Sequence, residues 1–253
     1  MVAYETNGER RNRQLGADCR HLAVSAPPVS GSPFGWRSGD ESSGRRTKGP
    51  RRLKPPRRTK AAPLAKPKAG RPLDEPFPDF PYHPDPQATG SVESSEAHCV
   101  CCGHARGLIY TGPVYCARDD LDDALCPWCI ADGQAAARFD AEFTDIGSGV
   151  PDDVPPEVTD EVSTRTPGFS GWQQEHWLYH CGDAAAFLGR AGRQELEPHP
   201  EALEALRAEQ AEVDAPPEEV TEYLAALDKD DQPTAYLFRC RRCSTHLAYS
   251  DFT

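Results

Sequence analysis

Three Cys-x-x-Cys pairs, Cys99/Cys102, Cys126/Cys129 and Cys240/Cys243, constrain this chain more than any other feature of its sequence. Such a turn sets two sulfurs on one tight loop and directs main-chain N–H groups at them. That arrangement serves a tetrahedral, thiolate-held metal, zinc above all, or a thiol redox centre. The choice between them rests on what else the chain places near each pair.

Around the first two pairs the pattern favours metal. Gly103, directly after Cys102, tolerates the positive φ that a knuckle needs. The stretch "GLIYTGPVY" is β-prone and broken at Gly112-Pro113, which predicts a hairpin. The second pair then opens "IADGQAAARFDAEF", a predicted helix interrupted near Gly133. A helix N-terminus stabilises thiolate charge. Knuckle, hairpin and a Cys-x-x-Cys at a helix start resemble a treble-clef zinc finger, although the 23 residues between Cys102 and Cys126 slightly exceed the usual spacing. The expectation is one structural zinc held by Cys99, Cys102, Cys126 and Cys129. Cys101 adjoins Cys102 and suits the same site poorly, so it reads as a buried or spare thiol.

The third pair needs partners from elsewhere. Cys181 is the best candidate, with His180, His176 or His246 as the fourth donor, and a plainly buried Cys181 as the competing outcome. His180 beside Cys181 is awkward in regular structure and workable in a turn. A solvent-facing Cys240/Cys243 pair without metal would be an oxidation hazard. The expected ligand set is therefore His180, Cys181, Cys240 and Cys243 around a second zinc.

Redox and hydrolytic readings find less support. No βαβ pattern surrounds Cys126/Cys129, and another pair stands at metal-completing distance. No His-Glu-x-x-His motif occurs, and the deaminase signature is approached only by "CPWC". In "GFSGWQQEHWLYH", the residues Phe169, Trp172, Trp177 and Tyr179 with Gln173, Gln174 and Glu175 line either a ligand cleft or a small core, and core is the expectation. His83 and Asp85 in "HPDP" form either a polar site or a turn in which Asp bonds its own backbone; the turn is expected.

Charge divides the chain. Residues 1–72 hold 17 of the 28 Lys and Arg but only 5 of the 40 Asp and Glu, a net of +12, which leaves −24 on residues 73–253. The first segment, with "RRLKPPRRTK" at its centre, lacks apolar periodicity and reads as a disordered basic tail. It could grip phosphate backbones without specificity, while the acidic body would repel nucleic acid and favours a protein partner. No run of about 18 apolar residues predicts a membrane span, and no apolar signal segment opens the chain. A cytoplasmic location follows as an expectation, and there ten cysteines call for metal or catalysis rather than disulfides.

The body begins at residue 73. Prolines at 76, 78, 81, 84 and 86 predict an extended entry whose Phe77, Phe80 and Tyr82 anchor it to the domain. "PPEVTDEVSTR" has proline at helix-start positions. Asp183 as N-cap and Gly189 as C-cap predict a helix over 183–190, and further helices are expected over 200–212 and 217–227. The end reads as strand, Cys-x-x-Cys turn, strand. The expected class is α+β: a small zinc-stabilised domain over 73–253 with a treble-clef-like knuckle, hairpin and helix, intervening helices and a C-terminal Cys-x-x-Cys β-hairpin.

These motifs, "FPYHPDP", "ATGSV", "CVCCG", "YTGPVY", "LCPWCIADG", "GFSGWQQEHW", "HCGDAAAFLG", "FRCRRC" and the closing "YSDFT", resemble the CbrC family, a bacterial group whose hallmark is three Cys-x-x-Cys motifs. The resemblance runs from about Leu73 to Thr253 and omits the basic tail. It implies that all three pairs belong to one fold. The family label also carries an association with colicin tolerance, which implies a stress- or envelope-linked role and names no substrate. Ser244 departs from the glycine expected after a knuckle. The functional expectation is a non-enzymatic, zinc-stabilised cytoplasmic protein with a protein partner, against two alternatives: an enzyme using a catalytic zinc or an exposed dithiol, and nucleic-acid binding through the tail.

Overall fold

The computed structural model describes residues 75–146, 149–212 and 215–252; the basic tail expected over residues 1–72 lies outside them. The proline-rich entry is fixed by its aromatic residues, as expected. Phe80 and Tyr82 are buried, and Phe77 stands edge-on to Phe80 and Trp128 at ring separations of 5.9 and 6.0 Å. Trp128 Nε1 donates to the Pro76 carbonyl at 2.9 Å.

Strand β1 (Val92–Ser94) pairs antiparallel with β2 (Leu108–Tyr110), with Val92 opposite Tyr110. Cys99 and Cys102 lie in the connection between them. This corrects the hairpin expected after the first cysteine pair, because "GLIYTGPVY" supplies only β2, and the strand it pairs with precedes the cysteines. After Tyr110 the chain folds back over that residue's own ring: the Tyr110 hydroxyl donates to Pro113 O at 2.7 Å. A Cβ on Gly112 would lie 2.6 Å from this hydroxyl, so only glycine leaves room for the turn.

Helices α1 (Pro127–Ala131) and α2 (Gln134–Phe139) follow, broken at the expected place by Gly133 at φ +72°. Helix α3 (Pro156–Arg165) starts on Pro155 and Pro156, where a missing N–H costs nothing.

The remaining chain builds a hairpin, β3 (Tyr179–His180) with β4 (Asp183–Ala184), and a three-stranded antiparallel sheet. The sheet order is β5 (Ala186–Ala191), β6 (Thr234–Arg239), β7 (His246–Asp251). Between β5 and β6 run α4 (Arg193–Leu196), α5 (Pro200–Glu212) and α6 (Pro217–Ala226). The last two match the expected helices to within a residue. The helix expected over 183–190 is instead strand. Asp183 caps no helix; its Oδ1 accepts the Tyr82 hydroxyl at 2.9 Å and its own chain's Ala184 N–H at 3.0 Å. Gly189, at φ +130°, is the glycine of a bulge where the β5–β6 register shifts, not a helix terminator. Alanine's helix preference is worth a few tenths of a kcal/mol per residue, which pairing with β6 and burial of Phe187 outweigh.

Both sheet faces are covered. Phe187, Tyr236, Phe238, Leu247 and Tyr249 face Phe169, Trp177 and Tyr179. Ala235, Leu237 and Ala248 face the helices through Leu196, Ala202, Leu206, Val220 and Leu224. Double coverage explains why "AYLF" on β6 is one unbroken apolar run. A third core surrounds the first cysteines and includes Tyr110, Leu121, Ile130, Phe139 and Phe143. The mixed helix and strand composition agrees with the expected class. Among the described residues, no helix is long and apolar enough to cross a membrane.

Candidate metal centres

The first centre draws on two separate local structures. In the β1–β2 connection, Gly103 at φ +78° closes a knuckle in which its N–H donates to Cys99 O at 2.7 Å. At the start of α1, Cys126 is the N-cap and Pro127 the first helical residue, so Cys129 lies one turn along. One donor atom each from Cys99, Cys102, Cys126 and Cys129 falls within 4.8 Å of all the others. Cys102 Sγ is 3.9 Å from Cys126 Sγ, and the Cys126 N–H points at Cys99 Sγ at 3.2 Å. Cys99, Cys126 and Cys129 are buried.

Four thiols so close cannot ionise independently. Cys99 is held as the thiolate, down to about 2, by hydrogen bonds from Cys126 and then Cys129. Cys129 is correspondingly pushed far up by its bonds to Cys101, Cys126 and Cys99. Without a cation, one sulfur takes the charge and its neighbours keep their protons. A divalent cation removes that conflict by letting all four ionise, which is the usual chemistry of a thiolate site. The group could hold a metal ion. Cys101 is buried beside it.

The second group depends on a turn. Cys181 and Gly182, at φ +56° and +65°, are the two central residues of the β3–β4 hairpin, a conformation typical of type I′ turns. That turn overcomes the difficulty of neighbouring ligands, since His180 Nδ1 and Cys181 Sγ come within 3.2 Å. The β6–β7 turn brings Cys240 and Cys243 to the same point. Cys243 Sγ is 3.7 Å from Cys181 Sγ and 3.4 Å from His180 Nδ1. Ser244 adopts φ +63° and donates its N–H to Cys240 O at 3.0 Å, so serine performs the knuckle role expected of glycine. The four donor atoms lie within 4.8 Å of one another. In this structure Cys181 is disulfide-bonded, so it joins this donor set only when reduced. The other candidates lie elsewhere: His176 packs edge-on to Tyr249, and His246 pairs with Glu201.

The polar residues of "HPDP" do not form an open site. Asp85 Oδ1 accepts the Ala88 N–H at 3.0 Å, the expected turn. His83 is fully buried, its Nδ1 2.7 Å from the Pro167 carbonyl and its Nε2 2.7 Å from Thr89 Oγ1. The carbonyl can only accept, which places the proton on Nδ1 and leaves Nε2 to accept from Thr89. Burial pushes His83 from 6.5 down to about 4, the bond to Pro167 opposing. The folded protein therefore keeps it neutral where the unfolded chain protonates it. Its contribution is complete above about pH 6.5 and is lost as pH falls towards 4, roughly 3 kcal/mol in all. Denaturant midpoints measured across this window should fall in the wild type and flatten in His83→Gln; equal slopes would refute the assignment.

The aromatic stretch divides. Phe169, Trp177 and Tyr179 are core, as expected, while Trp172 sits 37% exposed with its Nε1 donating to Thr234 Oγ1 at 2.9 Å. Glu175 is buried and receives the Tyr115 hydroxyl at 2.6 Å. Burial raises its carboxyl, although the Tyr115 bond pulls it down. This pair was not legible in the sequence, since the partners are 60 residues apart. A third group of donors, His199, Glu201 and His246, also escaped sequence reasoning. The only signal was "HPE" at the start of a predicted helix.

Comparison with known proteins places this chain in a family. The model of an uncharacterised protein family, UPF0167, matches residues 77–252. The chain is 57% identical over 176 residues to the UPF0167 proteins Mb2317 of Mycobacterium bovis and MT2352 of Mycobacterium tuberculosis, covering 70% of this chain and 94% of each relative. It is 41% identical over 181 residues to the UPF0167 protein PA1536 of Pseudomonas aeruginosa, covering 72% of this chain and the whole of that relative. No solved structure matches.

Proposed function

We propose, from the premise that this chain belongs to the uncharacterised protein family UPF0167, that it is a non-enzymatic protein stabilised by two zinc ions and that it acts by binding another protein. The observation that carries this reading is the donor count. Each cysteine group offers four donors, so a tetrahedral ion bound there keeps no open position for water or substrate, and closed sites are structural. Thiolate-rich donors select zinc among the abundant divalent ions.

In this reading the first centre is treble-clef-like in its essentials, a knuckle on a loop joined to a Cys-x-x-Cys at a helix start. Cys99, Cys102, Cys126 and Cys129 hold one ion, and His180, Cys181, Cys240 and Cys243 the other. The domain spans 73–253, with 1–72 as a basic tail. Its charge of −24 favours a basic protein partner. A reducing cytoplasm keeps the thiolates available, and resemblance to the CbrC family supports a stress- or envelope-linked role.

Metal analysis with thiol titration tests the proposal. About two zinc ions per chain are expected, with sulfurs that react only after chelation. Metal-free, folded protein carrying a reversible Cys126–Cys129 disulfide would overturn it in favour of redox chemistry. Salt-sensitive nucleic-acid binding that vanishes on deletion of residues 1–72 would move the function to the tail.

A further inference from the structure

We propose that His199, Glu201 and His246 form a third, chemically distinct metal site: an exchangeable site for a divalent first-row transition ion, with an open coordination position. His199 immediately precedes α5, Glu201 lies in its first turn, and His246 opens β7. One donor atom from each lies within 4.8 Å of the other two. The imidazole rings are 3.7 Å apart and tilted by 31°. Glu201 Oε1 lies 3.1 Å from His246 Nδ1 and also accepts the His246 main-chain N–H at 3.3 Å.

The supporting backbone is rigid on both sides. His199 donates its N–H to Leu196 O at 2.9 Å, and its carbonyl accepts the N–H groups of Ala202 and Leu203. Helix α5 is held on the sheet by Ala202 and Leu206, buried with Ala248 of β7. His246 stands three residues past Cys243, in the strand leaving the knuckle of the second cysteine group. The donors therefore converge without a loop having to reorganise, which is what metal affinity requires of a protein site.

Donor chemistry separates this site from the other two. Two imidazoles and one carboxylate suit zinc, copper, iron or nickel, so unlike a thiolate set they do not single out zinc. Three protein donors leave at least one position for water or for a donor from a bound molecule, as in open zinc sites. Glu201 is exposed and His246 retains 18% of its side-chain exposure, so an ion can enter and leave from solvent. Whatever the cysteines hold, the chain would carry an additional ion able to accept an external ligand.

The test is a calorimetric titration of the full, zinc-loaded chain with Zn2+, comparing the wild type with the His199→Gln/His246→Gln double variant. The wild type should take up one equivalent more than the double variant, a difference independent of how many ions the cysteines hold. Glu201→Gln alone should weaken that equivalent at least about tenfold. The imidazole C–H resonances of His199 and His246 should shift together as Zn2+ is added, which keeps the test decisive even where a variant folds poorly. Equal uptake by wild type and double variant, or a shift confined to one imidazole, overturns the site.

Discussion

On the two-zinc proposal, replacing Cys126 with alanine is expected to empty the first centre and unfold the layer around it. Cys126 is fully buried, its sulfur 3.9 Å from that of Cys102 and its N–H on that of Cys99. It occupies the N-cap position of α1, so its sulfur ties the helix start to the knuckle. Structural zinc contributes on the order of 10–16 kcal/mol of apparent binding free energy in small zinc-dependent folds, which matches or exceeds the usual net stability of a domain, roughly 5–15 kcal/mol. Zinc content should fall by one ion per chain, and the remaining thiols of the group should become reactive without chelator. Cys101→Ser is the control: its sulfur lies outside the four-donor group, so metal content should be unchanged. Full metal content and an unchanged denaturation midpoint in Cys126→Ala would reject a four-thiolate centre.

The second large effect is expected from Phe169→Ala, at about 3–5 kcal/mol. Phe169 belongs to no strand or helix, yet it is 2% exposed. Its ring stacks on Phe187 at 3.8 Å and 14°, with Trp177, Tyr236 and Phe238 at 5.5 to 5.8 Å. Truncation removes a side chain that touches all four rings and leaves a cavity between the loop and the sheet. Trp172→Ala, three residues on, is the comparison. That ring is partly exposed and contributes a hydrogen bond to Thr234 and a contact with Arg190, so the cost should be near 1 kcal/mol. Urea midpoints of the two variants measure the difference; a loss below about 1 kcal/mol for Phe169→Ala would place the loop outside the cooperative core.

Some elements of this fold are written in local sequence and others are not. Helix α6 was legible because Val220 and Leu224 bury one face at helical spacing. The strand at 186–191 was not, because its Ala-rich run, with Asp183 before it and Gly189 within it, reproduces helix-start and helix-stop chemistry. Only β6, about fifty residues later, decides its state. The hairpin expected within 107–115 failed for a similar reason. Tyr110 turns its hydroxyl onto Pro113, Tyr115 bridges instead to Glu142, and the real partner of β2 lies before the cysteines.

The sequence by itself determined the donors. Cys-x-x-Cys spacing and the turn residues beside it are local properties, and local geometry sets each pair on one loop. It also determined the covered sheet, through the unbroken apolar run of β6, and the burial of Phe80, Tyr82 and Trp177. Tertiary structure alone decided which donors meet. His180 rather than His176 or His246 joins Cys240 and Cys243, because two left-handed residues at Cys181 and Gly182 turn it inward. His246 instead meets His199 and Glu201, because α5 packs across β7. Convergence of this kind depends on the path of chain between the pieces, and no local pattern of residues encodes that path.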